Sequence, residues 1–171
     1  MQSINPYLTQ ISDQLALTWQ SEKRKHDECE IANLTRSNRL QISVANRLAA
    51  TTGIIELKLI DQEQLVGKVI GVGSDAVLFQ TAVSNELIPL AAISVVTGIG
   101  KGRQISEVVR KIQHSVLLQL LEREISIFGT GYQIYSGKLI NVWQDSMDIS
   151  ISENLFTFKL SNVVRISFGA I

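Results

Sequence analysis

From residue 54 onward, apolar positions come in short blocks cut by turn residues. IDQEQ (60–64), VGSD (72–75) and VSNE (83–86) punctuate the first stretch, and GTG (129–131), WQD (143–145) and SEN (152–154) the second. Between them the pattern predicts strands near 54–60, 64–72, 76–82, 86–90 and 92–97. Val77, Phe79 and Thr81 alternate with Leu78 and Gln80. Further on, Met147, Ile149 and Ile151 alternate cleanly with Asp148, Ser150 and Ser152, the period of a half-buried strand.

Ahead of each strand block the period lengthens. In 31–50, Ile31, Leu34, Ile42, Ala45, Leu48 and Ala49 form a broad helical stripe. In 104–122, Ile105, Val109, Ile112, Val116 and Leu120 recur at spacings of three or four. Leu8, Ile11, Leu15 and Trp19 predict a further short amphipathic helix near the N-terminus.

The two strand blocks are versions of each other. At an offset of 70, seven of the 44 positions in 54–97 match 124–167, and five of those fall within GKVIGVGSD (67–75) and GKLINVWQD (137–145). Clustered identities with the apolar phase preserved indicate one unit used twice. The match is weakest over 81–88.

Five short strands in so small a unit predict a strongly bent sheet closing into a small barrel, with the preceding helix across one end. The expected class is mainly β with helices (α+β): two Sm-like or SH3-like five-stranded barrels. The expected divisions are an N-terminal helical extension (1–30), a first helix and barrel (31–97), and a linker, second helix and barrel (98–171). Gly67 and Gly137 mark a bend or close backbone approach. Asp75 and Asp145 are expected to accept backbone hydrogen bonds in their own turns.

Composition narrows the field. Hydrophobic residues make up 45% of the 171 and charged residues 19%, enough apolar material for a core. The formal net charge is zero, so the strongly basic surface of a simple nucleic-acid binder is absent. One cysteine, Cys29, and two histidines, His26 and His114, make neither an internal disulfide nor a metal-ligand spacing. The N-terminus lacks a signal-peptide pattern and no apolar run is long enough to cross a bilayer, so a cytoplasmic location is expected.

The segments LKLIDQEQLVGKVIGVGSDAVLF and LIPLAAISVV, with GKLINVWQDSMDI and FKLSNVVRI in the second copy, resemble the Sm-like (LSm) fold. In style the chain is similar to an uncharacterised actinobacterial family with two such units. The resemblance implies bent five-stranded barrels that join through their fourth and fifth strands into rings holding single-stranded RNA. Phe79 and Ile149 stand where the family's base-contacting asparagine would be, so no base-reading residue is carried over.

Most of the positive charge lies outside the strand blocks. Lys23, Arg24 and Lys25, with Lys101 and Arg103 in GIGKGR (98–103), are the candidate nucleic-acid contacts. GIGKGR lacks the spacing of a phosphate loop. Trp19 and Trp143 are candidate interface anchors. Together these features favour a non-enzymatic oligomerisation or protein-interaction module without cofactor, metal or small-molecule ligand. Its expected partner is a second copy, as a dimer, or another protein. A divergent RNA-binding protein using basic helices is the alternative, and an enzyme a remote one.

Overall fold

A computed structural model describes residues 23–25, 28, 42–99 and 110–169. Two compact units divide at residue 42. In Met1–Ile42 the described residues 23–25 and 28 are helical and exposed. Ser43–Ile171 holds both repeats.

The first helix of this unit, α1 (Val44–Ala49), begins where Ser43 caps it, its hydroxyl accepting the Asn46 N–H at 3.1 Å. Ile42 and Ser43 are not helical, so the stripe predicted over 31–50 is interrupted there. Strands β1 (Ile54–Leu59), β2 (Gln64–Val72), β3 (Ala76–Gln80), β4 (Asn85–Pro89) and β5 (Ile93–Thr97) follow. After α2 (Gln113–Gln119) come β6 (Glu124–Gly129), β7 (Ile134–Val142), β8 (Ser146–Ile151), β9 (Asn154–Lys159) and β10 (Val163–Phe168). The helix predicted over 104–122 is shorter among the described residues, because Arg110 to Ile112 are not helical.

The repeat is exact in register. Ile55 pairs with Gly67 and Ile125 with Gly137; Lys68 pairs with Gln80 and Lys138 with Ser150. The offset of 70 holds even through 85–89, since Ala76 pairs with Pro89 and Ser146 with Lys159. Both β2–β3 and β7–β8 shift register at the same place, between Val69 and Gly71 and between Leu139 and Asn141.

The expectation of two closed Sm-like barrels is corrected. All ten strands form one open antiparallel sheet in the order β5-β1-β2-β3-β4-β10-β6-β7-β8-β9. Closing a five-stranded barrel requires a strand from the far side of the same copy to complete the ring. Instead β4 of the first repeat pairs with β10 of the second: Leu87 faces Ile166, Glu86 faces Ser167 and Asn85 faces Phe168. Among the described residues β5 pairs with β1 alone and β9 with β8 alone, so the sheet has two ends. Pro89 lies beyond the last β4–β10 pair, where its missing N–H breaks no bond of that ladder.

Side-chain packing explains why the open arrangement wins. Strands β4 and β10 bury both faces, as strands in the middle of a covered sheet do. Leu87 joins the core of the second repeat, with Leu117, Ile127, Met147 and Ile166. Val164 joins the core of the first, with Leu57, Phe79 and Ile88. Val163 and Val164 are adjacent on β10 and enter opposite cores, as successive strand residues do. Each core is thus completed by a strand from the other repeat, and each deeply buried Leu or Val adds roughly 1.5–3 kcal/mol of apolar burial.

Candidate interaction site at the repeat joint and the sheet edges

Pairing β4 with β10 brings together charges that are far apart in sequence. Glu86, 2% exposed, lies on β4 and Arg165 on β10. Arg165 Nη1 donates to Glu86 Oε2 at 2.9 Å. Its Nε and Nη2 donate to the two carboxylate oxygens of Glu63 at 3.0 and 2.7 Å, a bidentate pair. Ser84 Oγ donates to the remaining oxygen of Glu86 at 2.6 Å. The guanidinium lies 3.3 Å from the Phe128 ring centroid, so it also meets an aromatic face.

A second contact ties the repeats through the turn after β2. The Asp75 carboxylate reaches beyond its own turn. It accepts the N–H groups of Ile112 and Gln113, at 2.8 and 3.4 Å, and so starts α2 at Gln113. Ser74 N–H donates to the Arg110 carbonyl at 3.0 Å. Gly73 makes room for this segment: a Cβ there would lie 2.7 Å from Ile112 Cγ1 and 2.9 Å from the Arg110 carbonyl oxygen.

The second repeat uses the equivalent turn differently. Trp143 stands where Gly73 stands in the first, and its Nε1 donates to Asp148 Oδ2 at 2.8 Å. Asn141 Nδ2 donates to the same oxygen at 3.1 Å, and Thr157 Oγ1 to Oδ1 at 2.7 Å. These donors, Thr157 foremost, hold the Asp148 carboxyl below the usual aspartate range against the opposing effect of burial. Alternation places Asp148 on the wet face of β8, yet the side chain is buried beneath these three partners. Asp145 accepts only its neighbour's hydroxyl, from Ser146 Oγ at 3.1 Å, among its described side-chain bonds.

The other predicted positions separate. Gly67 and Gly137 are close approaches: a Cβ would run into the carbonyl oxygens of Gln80 and Ser150 on the neighbouring strands. Trp143 is half exposed, and its carbonyl meets His114 Nε2 at 2.9 Å. Lys23, Arg24 and Lys25 are exposed helical residues of the N-terminal unit. Trp19, Lys101 and Arg103 lie outside the described residues.

Both sheet ends carry exposed apolar side chains. On β9, Leu155 is 60% and Phe156 42% exposed; on β5, Val95 is 50% exposed. Their counterparts at offset 70 are Asn85, Glu86 and Arg165, all buried in the joint. Nothing in the isolated sequence marked Leu155 and Phe156 as edge residues, because the signal is the pairing of their counterparts.

Among the described residues no group of His, Cys, Asp and Glu is arranged to hold a metal ion, and no helix is long and apolar enough to cross a membrane. No protein-family model matches the chain, and no curated protein matches it.

Proposed function

We propose that the chain is a non-enzymatic self-association module whose sheet edges join head to tail. The observation that carries this reading is the β4–β10 joint. β9 is the counterpart of β4 and β5 the counterpart of β10, and among the described residues neither has a neighbour on its outer side. An unpaired edge is a template for another strand. Repeating the internal register between two chains sets Thr157 of one against Val96 of the next, and Phe156 against Thr97.

The chemistry of such a joint differs from the internal one. Glu86 is replaced by Phe156 and Arg165 by Val95, so an ion pair gives way to apolar contact. Because the two edges are different surfaces, the contact is heterologous; it builds rings where the rotation closes, the smallest being a dimer with two joints, and open filaments where it does not.

Native mass spectrometry of protein purified in low salt without nuclease tests the reading. Protein-only assemblies of defined stoichiometry are expected. A strict monomer at tens of micromolar overturns it; an assembly that forms only with retained RNA transfers the role to nucleic-acid binding, whose phosphate contacts weaken steeply with salt.

A further inference from the structure

The β4–β10 joint has a second consequence, on the side of the sheet where the tight turns lie. It sets the β1–β2 turn of the first repeat beside the β6–β7 turn of the second. Between them is a cavity of about 400 Å³ bordered by Asp61, Glu63, Phe128, Tyr132, Gln133 and Ile134. That is the size of a small-ligand site.

We infer that this cavity is a binding site for a small organic cation of the guanidinium or alkylammonium class. The charge balance points there first. Asp61 and Glu63 border the cavity with two formal negative charges, and Glu63 shares the single guanidinium of Arg165 with Glu86 behind it. Among the described residues, Arg165 is the cation that Glu63 and Glu86 pair with, and Asp61 is left without one.

The walls point the same way. Arg165 already lies over Phe128 while Glu63 grips it from the side, so this corner seats one guanidinium between an aromatic face and a carboxylate. Tyr132 and Asp61 border the same cavity, a second aromatic ring and a second carboxylate, and among the described residues Asp61 forms no salt bridge. Tyr132 is exposed, its turn held with a positive φ of 63° next to Gly131 at 87°. Asp61 spends one oxygen on its own turn, accepting the Glu63 N–H at 3.1 Å. Ile134, also exposed, gives the alkyl stem of a ligand an apolar surface. A cation over an exposed aromatic ring gains about 0.5–1 kcal/mol, and more where it is desolvated.

The site does not depend on the chain joining other chains, since both turns belong to one chain. Isothermal titration calorimetry of the full chain with agmatine, which carries one guanidinium and one ammonium, is the test. Saturable binding is expected, weakened about fivefold or more by D61N and by Y132S, each removing one of the two groups that make the seat. D61N keeps an oxygen for the Glu63 N–H, and Tyr132 is a surface residue, so both variants fold. Butylurea, neutral and similar in reach, should not bind. The inference is overturned by absence of saturable heat, by butylurea binding as well as agmatine, or by agmatine binding that neither substitution changes.

Discussion

Arg165 of the second repeat donates to Glu86 of the first, 79 residues earlier, with Nη1 2.9 Å from Oε2 and the carboxylate 2% exposed. Removing one member of a buried ion pair strands the other, which costs more than the pair itself contributes. Arg165→Met leaves Glu86 buried without its cation. Unfolding stability is expected to fall by about 3–5 kcal/mol in urea titration. Adding Glu86→Gln to that variant removes the stranded charge and should recover part of the loss. A loss below about 1 kcal/mol for Arg165→Met would show that the joint does not rest on this pair.

Asp148 gives the fold a pH dependence of known sign. Its pKa is lowered by the Thr157 hydroxyl, then by the Trp143 indole, with Asn141 adding to them against desolvation. A group whose folded pKa lies below its unfolded one contributes stability above the unfolded value, near pH 4. That contribution is lost as pH falls through the lower, folded pKa. Asp148→Asn leaves three donors facing one amide oxygen and is expected to cost about 1–3 kcal/mol at pH 7. Urea midpoints of the two proteins should stay apart above pH 5 and converge below pH 4. Parallel curves down to pH 2.5 would assign the acid sensitivity elsewhere.

Gly73 and Trp143 occupy one position of the repeat with opposite demands. Gly73→Ala puts a methyl 2.7 Å from Ile112 Cγ1 and 2.9 Å from the Arg110 carbonyl oxygen, one of them backbone that cannot swing aside. A cost of about 1–3 kcal/mol is expected, the range of overpacked sites. Hydrogen exchange should quicken at Ser74, whose N–H bonds to the Arg110 carbonyl. Unchanged protection at Ser74 would mean that the segment adapts without releasing the turn.

Strand positions were legible in the sequence because their cause is local. The alternation of Met147, Ile149 and Ile151 and the turn residues around Asp75 and Asp145 report on a few neighbouring residues. Closure was not legible, because it depends on which strand covers β4, and β10 lies some 80 residues away: Leu87 faces Ile166. One signal was present. Leu87 and Ile88, then Val163 and Val164, are consecutive apolar pairs, as expected of strands buried on both faces rather than one. Glu63 and Arg165, 102 residues apart, carried no such mark. Asp148 misled in the other direction. Its place in an alternating strand reads as solvent-facing, and only the folded positions of Trp143 and Thr157 bury it.

The two free edges can be blocked separately, and the pattern of rescue distinguishes modes of assembly. Val95→Lys charges the β5 edge; the double substitution Leu155→Lys, Phe156→Lys charges β9. All three side chains are at least 42% exposed, so the stability of the single chain should move by no more than about 0.5 kcal/mol. A lysine on an edge strand disfavours addition of another strand. In head-to-tail assembly each joint needs one β5 and one β9 edge. Either variant alone then lacks half of every joint and is expected to be monomeric. Mixed together, they retain one intact β9 and one intact β5, and should form a 1:1 heterodimer that grows no further. Symmetric pairing of β9 with β9 predicts something else: Val95→Lys remains a homodimer and the mixture gains nothing. Native mass spectrometry of the two variants and their mixture separates these outcomes. A homodimer of Val95→Lys would overturn the heterologous joint while leaving self-association in place.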